Sequence, residues 1–191
     1  MVHVHKKAIR VLGIAESFRK DMKKSVLAGV VMRGDLVIDG FSFAFATVGG
    51  MDATDAVLRL YRDLQRGDVN AILLSGAVIS WYNVVDLPRV HEETGKPLLC
   101  VTYEESEGLE KYLKQFEDWE ERIRVYRRNG EREKVFLRTG KEVYIRYFGM
   151  RKDEALGLLN KFTLSGRIPE PVRVARILAR SLMRTLSDYL R

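Results

Sequence analysis

Residues 9–17 read IRVLGIAES, a nearly continuous apolar run that ends with one carboxylate, Glu16, just past its apolar part. A strand buried on both faces has this composition, with a polar residue where the strand leaves the core. In α/β proteins, ligands bind beyond the carboxyl ends of the strands. Glu16 is therefore the first candidate for a functional residue, and the alternative is an ordinary solvated loop side chain.

Two further strand-like runs follow, over residues 26–32 and 36–47, and the turn signal Arg33-Gly34-Asp35 separates them. The short gap between the runs predicts an antiparallel hairpin. The chain is therefore expected to open with a meander of three antiparallel strands.

After Gly49 and Gly50 the apolar residues change to helical spacing. Asp52 is the expected N-cap of this helix, and Asp55 completes an acidic variant of the capping box. A buried strand over residues 69–74 and an irregular loop come next. The pattern then predicts a helix from Asn83 to Gly95, a strand over 98–102, and a long amphipathic helix that begins at Ser106 and extends past Ile123. A strand over 143–148, a helix over 152–163 and a last helix running toward Leu190 complete the chain.

The alternation of helices and strands after residue 83 is typical of parallel βαβ units. The expected fold is a single α/β domain over residues 1–191. Its mixed sheet contains a three-strand antiparallel meander and then parallel strands, and helices flank the sheet.

The composition is that of a soluble globular protein, with 46% hydrophobic and 31% charged residues. The net charge of +7 makes DNA or RNA a reasonable partner, although charge alone decides nothing about binding. Because Cys100 is the single cysteine, no disulfide framework or cysteine-based zinc site is possible. No run of 18 apolar residues occurs, so we expect no membrane partner and a cytoplasmic location.

Residues 167–175, RIPEPVRVA, resemble the entry to the last helix of endonuclease V. The whole chain is similar to an uncharacterised, largely archaeal family that is related to endonuclease V. Besides the first strand, the motifs that carry this similarity are residues 51–54 (MDAT), 82–87 (YNVVDL) and 168–171 (IPEP). The resemblance implies a ribonuclease H-like fold.

The resemblance also implies metal-dependent cleavage of a phosphodiester near a deaminated base, with carboxylates that converge on Mg²⁺ or Mn²⁺. Glu16 stands near the position of the first-strand aspartate of endonuclease V. Ser75 and Arg176 stand where that family has two further aspartates. A guanidinium at such a position opposes a bound cation.

Three acids remain as candidate catalytic residues, Glu16, Asp52 and Asp86, and Glu16 and Asp52 are the candidate metal ligands. The alternative for Asp52 is helix capping. Asp86 is expected one turn inside its helix, where Asn83 is the better cap.

Nucleic-acid binding has two sets of candidates. Arg173, Arg176 and Arg180 share one face of the last helix and could contact phosphates. Trp81 and Tyr82 lie in a loop beside the expected cleft and could stack on bases. The alternatives are a solvated helix surface for the arginines and burial under a neighbouring helix for the aromatic pair.

Three hypotheses about function follow. The chain is a nucleic-acid-binding protein of endonuclease V type whose metal site is altered or lost, an active Mg²⁺-dependent endonuclease or endoribonuclease with regrouped acids, or a non-catalytic scaffold that could form a homodimer.

Overall fold

A seven-stranded sheet forms the centre of the fold in the computed structural model, which describes residues 8–190. The strands are β1 Arg10–Ser17, β2 Lys24–Arg33, β3 Ile38–Thr47, β4 Ala71–Ser75, β5 Val78–Ile79, β6 Asn83–Val84, β7 Leu98–Thr102, β8 Glu133–Phe136 and β9 Glu142–Phe148. The helices are α1 Ala53–Asp63, α2 Leu87–Thr94, α3 Glu110–Leu113, α4 Trp119–Arg128, α5 Lys152–Phe162 and α6 Glu170–Thr185. The sheet order is β3-β2-β1-β4-β7-β9-β8, and β5 and β6 form a separate short hairpin.

The predicted meander is confirmed, because β1 pairs antiparallel with β2 and β2 pairs antiparallel with β3. The predicted parallel strands are also present. β4 lies parallel to β1, and β7 lies parallel to β4. Beyond β7 the sheet continues with two antiparallel strands, β9 and β8, so the parallel βαβ arrangement predicted after residue 83 does not extend to the strand over 143–148. The carboxyl ends of β1, β4 and β7 therefore lie at one edge of the sheet, where α/β proteins bind ligands.

The two faces of the sheet have separate apolar cores, as the alternation of side chains along each strand requires. Leu12 and Ile14 of β1 point into the core beneath α1 and α2. Val11 and Ala15 point into the opposite core, beneath α5 and α6. Residues 11–15 of β1 are all buried, as the apolar run predicted.

The α6 helix packs directly on β1 at Gly13. A Cβ atom added at Gly13 would lie 2.5 Å from the carbonyl carbon of Pro171 and 2.6 Å from the Pro171 Cβ. Backbone atoms cannot move aside cheaply, so the glycine is required for this close approach. The first strand and the last helix are therefore in direct contact at Gly13 and Pro171.

Two predicted helices differ from the structure. The helix expected from Asn83 begins at Leu87, because Pro88 fits only the first turn, where its missing N–H costs no hydrogen bond. The long helix expected from Ser106 is two short helices, α3 and α4. Tyr112 and Phe116, near the break, pack on the ring of Tyr82, so tertiary contacts override the helical pattern there.

The outer face of β3, at one edge of the sheet, carries a row of exposed aromatic side chains. Phe41, Phe43 and Phe45 are 49%, 39% and 38% exposed. Ser42, Ala44 and Ala46 alternate with them and are buried.

Across residues 8–190, none of the helices has both the length and the apolar content that a membrane span requires.

Candidate functional site

Glu16 lies half-buried near the end of β1, and among residues 8–190 its carboxylate accepts one hydrogen bond. The backbone N–H of Ser80 donates to Oε1 over 3.3 Å. The other oxygen, Oε2, is buried and has no hydrogen-bond partner within residues 8–190. Burial raises the pKa of Glu16 from 4.5 to about 7, although the Ser80 hydrogen bond opposes this. Glu16 is therefore a carboxyl group that can exchange a proton near neutral pH.

The turn that contacts Glu16 has an unusual backbone. Ser80, Trp81 and Tyr82 join β5 to β6, and all three have positive φ angles of 46°, 60° and 63°. Each such residue other than glycine costs on the order of 1–3 kcal/mol, so surrounding contacts must hold the turn.

Several hydrogen bonds supply that support. The hydroxyl groups of Ser80 and Ser25 lie 2.5 Å apart, and the Ser80 carbonyl accepts from the Gly49 N–H over 2.7 Å. The buried Arg122 donates to the carbonyl oxygens of Tyr82, Gly49 and Gly50 over 2.7–2.9 Å. The strained turn is therefore fixed beside Glu16.

Asp52 lies in the loop between β3 and α1, and protein groups donate hydrogen bonds to its carboxylate. Its carboxylate accepts from the N–H and the hydroxyl of Thr47 and from the side-chain amide of Asn83, at 2.7–3.1 Å. These hydrogen bonds and the nearby Lys24 lower the pKa of Asp52, although partial burial opposes them. Asp52 makes no side-chain cap on α1, so the predicted capping box is wrong.

Asp86 is the N-cap of α2, which corrects the prediction that it lies one turn inside the helix. Its carboxylate accepts from the Arg89 N–H over 3.1 Å and from Arg128 over 2.8 Å. Asn83, the predicted cap of that helix, lies in β6 and accepts from the N–H of Ala53 at the start of α1. The Asp86 carboxylate thus accepts hydrogen bonds from its own helix, α2, and from α4.

The two positions at which the resemblance implied missing acids are in direct contact. Nη2 of Arg176 donates to Oγ of Ser75 over 2.7 Å, and its guanidinium lies 4.7 Å from the ring centre of Tyr103. Within residues 8–190, no carboxylate lies within ion-pair distance of Arg176. A hydroxyl and a guanidinium thus occupy the site where that resemblance expects carboxylates.

Glu16 and Ser75 lie on opposite faces of the sheet. Glu16 shares a face of β1 with Leu12 and Ile14, so its side chain points toward α1. Ser75 shares a face of β4 with Ala71 and Leu73, so its side chain points toward α6. On β1, the residue that shares the face of Ser75 and Arg176 is the buried Ala15. A difference of one residue in a strand reverses the face. Because Glu16 is the residue after Ala15, its side chain lies on the opposite face of the sheet from Arg176.

These residues do not fit a metal centre of several carboxylates. Among residues 8–190, no group of three or more His, Cys, Asp or Glu side chains is arranged to hold an ion. Asp52 and Asp86 already accept several hydrogen bonds, and Arg176 presents a positive charge. The site of Mg²⁺ or Mn²⁺ at Glu16 and Asp52 stays a prediction.

Trp81 and Tyr82 are half-buried in an aromatic cluster. Trp81 packs against Phe18 and Tyr82, and the Lys20 ammonium lies 3.5 Å from the centre of its ring. Tyr82 stacks on Tyr112 at 6.0 Å. Base stacking by this pair stays a prediction, and most of their contacts are with the protein.

The arginines of α6 differ in their contacts. Arg173 pairs with Glu170, Arg176 contacts Ser75, and Arg180 and Arg184 are exposed without a carboxylate partner within residues 8–190. The buried stripe of this helix consists of Val172, Ala175, Ala179 and Met183. Leu178 and Leu182 are only partly buried beside this stripe.

A cavity of about 470 Å³ opens at the carboxyl ends of β4 and β7, next to Arg176. Its wall includes Ser75, Tyr103 and Tyr126, and it carries four arginines, Arg132, Arg146, Arg167 and Arg176. Sequence reasoning missed this cavity. The available signal was Arg146, a charged residue among the apolar and aromatic residues that follow Glu142 in strand β9.

Comparison with known proteins places the chain in a family. The profile of the family described as Endonuclease dU matches residues 7–183. The chain belongs to the endonuclease dU family. This endonuclease dU family member is 37% identical over 183 residues to a UPF0215 protein of Pyrobaculum aerophilum, covering 93% of this chain and 98% of that one. It is 33% identical over 191 residues to a UPF0215 protein of Pyrococcus furiosus, covering 96% and 97%.

Solved structures confirm the ribonuclease H-like fold of this endonuclease dU family member. A protein of unknown function from Archaeoglobus fulgidus superposes with a TM-score of 0.81 at 29% identity, covering 91% of this chain and 98% of that one. Human endonuclease V superposes with a TM-score of 0.65 at 18% identity, covering 94% and 86%. Endonuclease V of Ciona intestinalis, solved with DNA that contains an inosine, superposes with a TM-score of 0.64 at 14% identity. The match covers 94% of this chain and 88% of that one. The relation to endonuclease V is thus confirmed at the level of the fold.

Proposed function

We propose that this endonuclease dU family member binds DNA that contains deoxyuridine, through a site in which the metal centre of endonuclease V is altered. The observation that carries the proposal is the contact between Arg176 and Ser75. A guanidinium without a carboxylate partner attracts the phosphate groups of a nucleic acid, whereas the acids expected there attract cations.

The charge of the surrounding surface supports the same conclusion. Arg180 and Arg184 extend the positive surface of α6 from Arg176, and the chain carries a net charge of +7. Contacts between such side chains and phosphates supply most of the affinity of proteins that bind DNA without reading many bases. The family name supports deoxyuridine as the modified nucleoside.

Binding is tested with fluorescently labelled hairpin DNA in EDTA at low salt. Three hairpins of the same sequence contain one deoxyuridine, one deoxyinosine or only standard bases. We expect the deoxyuridine hairpin to bind most tightly, and Arg176→Gln to weaken binding to all three. A protein that binds none of the hairpins contradicts the proposal, and equal binding of all three removes the preference for deoxyuridine.

A second candidate is an active endonuclease, and the unpartnered Oε2 atom of Glu16 favours it. A carboxyl group with its pKa raised by burial to about 7 is suited to accept a proton from a nucleophile near neutral pH. The fixed turn at Ser80 holds this group in place.

Cleavage is measured on the deoxyuridine hairpin by denaturing electrophoresis, with Mg²⁺, with Mn²⁺ and with EDTA. An active site at Glu16 predicts strand cleavage that Glu16→Gln abolishes, while Glu117→Gln, a change at an exposed carboxylate, leaves it intact. Cleavage that persists in Glu16→Gln excludes the role of Glu16. Binding without cleavage under all three conditions supports a protein that has lost the activity.

A further inference from the structure

The cavity beside Arg176 contains more positive charge than its own residues neutralise. Of its four arginines, only Arg167 has a carboxylate partner, Glu104. Within residues 8–190, Arg132, Arg146 and Arg176 have no Asp or Glu within ion-pair distance, and each donates to neutral oxygen atoms. Three guanidinium groups therefore line one cavity without a compensating anion from its wall.

Arg146 is the most informative of the three. Its residue is only 7% exposed, its Nε donates to the carbonyl oxygen of Gly130 over 2.7 Å, and its guanidinium lies 5.6 Å from the ring centre of Tyr126. A buried charge without a counter-charge costs several kcal/mol. Proteins retain such a group where a ligand supplies the opposite charge, and Arg146 lines a cavity large enough for one.

Arg132 is oriented by the loop that follows β7. It donates to the carbonyl oxygens of Glu104 and Ser106 over 3.1 and 2.8 Å, and its guanidinium lies 5.0 Å from the ring centre of Tyr144. Only part of its five N–H groups is used by these bonds. A fixed guanidinium with free N–H groups is suited to bind a phosphate through two hydrogen bonds.

The remaining wall has aromatic and apolar side chains in addition to Thr102, Glu104 and Ser106. Tyr126, Leu109, Val78 and Ile168 line the cavity together with Tyr103. The Tyr103 hydroxyl is buried and has no hydrogen-bond partner of good geometry within residues 8–190. Flat aromatic rings beside a hydroxyl group suit a nucleobase, which has flat faces and polar edges.

We propose that this cavity binds a nucleoside monophosphate, with the phosphate on Arg132, Arg146 and Arg176 and the base against the tyrosine rings. A phosphomonoester carries a charge of about −1.5 to −2 at pH 7, which matches three unpaired guanidinium groups better than the single charge of a phosphodiester. The ligand is either a free mononucleotide or the 5′-phosphate end of a strand. Because Arg176 also belongs to the proposed DNA-binding site, the inference rests in part on the proposed function.

The test is isothermal titration of the full chain in EDTA with deoxyuridine monophosphate, deoxyuridine and inorganic phosphate. We expect the nucleotide to bind at least tenfold more tightly than the other two. Arg132→Gln is expected to weaken nucleotide binding at least tenfold, and Arg59→Gln, the same change at an exposed arginine of α1, to leave it unchanged. Nucleotide binding no tighter than that of deoxyuridine, or unchanged in Arg132→Gln, overturns the proposal.

Arg146→Lys is the second variant, to be used where Arg132→Gln does not fold. It keeps the charge and removes the planar donor, so a tenfold loss is again expected, and an unchanged affinity overturns the role of the cavity.

Two short oligonucleotides, with and without a 5′-phosphate, separate the sources of the ligand. Binding that requires the 5′-phosphate assigns the cavity to a strand end, and binding of the mononucleotide alone assigns it to the free nucleotide. The hairpins used above carry no 5′-phosphate. Hairpin binding without nucleotide binding overturns this inference alone, and the reverse result overturns only the proposed function.

Discussion

The position of Glu16 in the fold raises the affinity of its carboxylate for a proton. The strand carries it into a half-buried site, and one backbone N–H is its only hydrogen-bond donor among residues 8–190. Burial raises its pKa in the folded protein to about 7, whereas an unfolded chain has the ordinary value near 4.5. The folded state therefore binds more protons than the unfolded state between these two pH values, and the stability of the protein falls as the pH rises through this window.

Glu16→Gln is expected to remove the loss of stability that accompanies deprotonation of Glu16. Each pKa unit of difference between the folded and unfolded states corresponds to about 1.4 kcal/mol. Above pH 7, deprotonation of Glu16 therefore lowers the free energy of unfolding by up to about 3 kcal/mol. The variant should be about 1–3 kcal/mol more stable than the natural chain at pH 8, and within about 1 kcal/mol of it at pH 5. Urea denaturation at both values measures the difference. Glu117→Gln is the control, and an equal difference at the two pH values contradicts the expectation.

At the residue scale, the sequence placed Glu16 at a strand end, because the apolar run stops just before it. It did not predict that Ser75 and Arg176 touch each other, since 101 positions separate them along the chain. The roles of Asn83 and Asp86 as caps were also mispredicted. Pro88 was the residue that could have placed the start of α2 correctly.

At the scale of elements, the position of α6 depends on one glycine in β1. The helix and the strand touch at Gly13 and Pro171, and this contact places Arg176 at the end of β4. The order of the elements was predictable from periodicity. The break between α3 and α4 was not, because the aromatic contacts that impose it come from the distant Tyr82.

Gly13→Ala is expected to destabilise the protein by about 1–3 kcal/mol, because the added methyl group overlaps the backbone of Pro171. Gly67→Ala is the matched control, since a methyl group there meets nothing within 4 Å. Chemical denaturation of both variants gives the comparison. A loss of less than about 0.5 kcal/mol in Gly13→Ala shows that α6 can move aside.

The exposed arginines of α6 give a separate prediction about binding. Replacing both Arg180 and Arg184 by glutamine should weaken DNA binding and reduce the slope of log affinity against log salt by about 2, because each lost phosphate contact lowers it by about 1. The control replaces Arg59 and Arg62, two exposed arginines of α1. Titrations at several salt concentrations measure the slopes, and equal slopes in the two double variants exclude α6 from the interface.

At the scale of the whole molecule, one edge of the sheet concentrates the polar groups and the positive charge. Glu16, the Ser80 turn, Arg176 and the cavity all lie near the carboxyl ends of β1, β4 and β7. The parallel arrangement of these strands creates that edge, so the location of the site was predictable from the fold class. The chemistry of the site was not, because it depends on the face that each side chain occupies.

The phenylalanine row on β3 has a consequence for the protein in concentrated solution. Strand β3 ends the sheet, so its outer backbone groups have no neighbouring strand, and Phe41, Phe43 and Phe45 lie beside them. An edge strand with exposed apolar side chains is prone to pair with another chain. The homodimer considered from the sequence stays a prediction, and the edge of β3 is the surface at which we expect a second copy of this chain to pair.

Phe43→Lys is expected to shift the protein toward the monomer and to raise its solubility, with little change in DNA affinity. Light scattering across a concentration series measures the mass, and Leu164→Lys, at an exposed leucine that follows α5 and belongs to no strand, is the control. A natural chain that is monomeric at every concentration contradicts the expectation. If it holds, purification yield and crystal growth depend on this distant edge of the sheet and not on the nucleic-acid site.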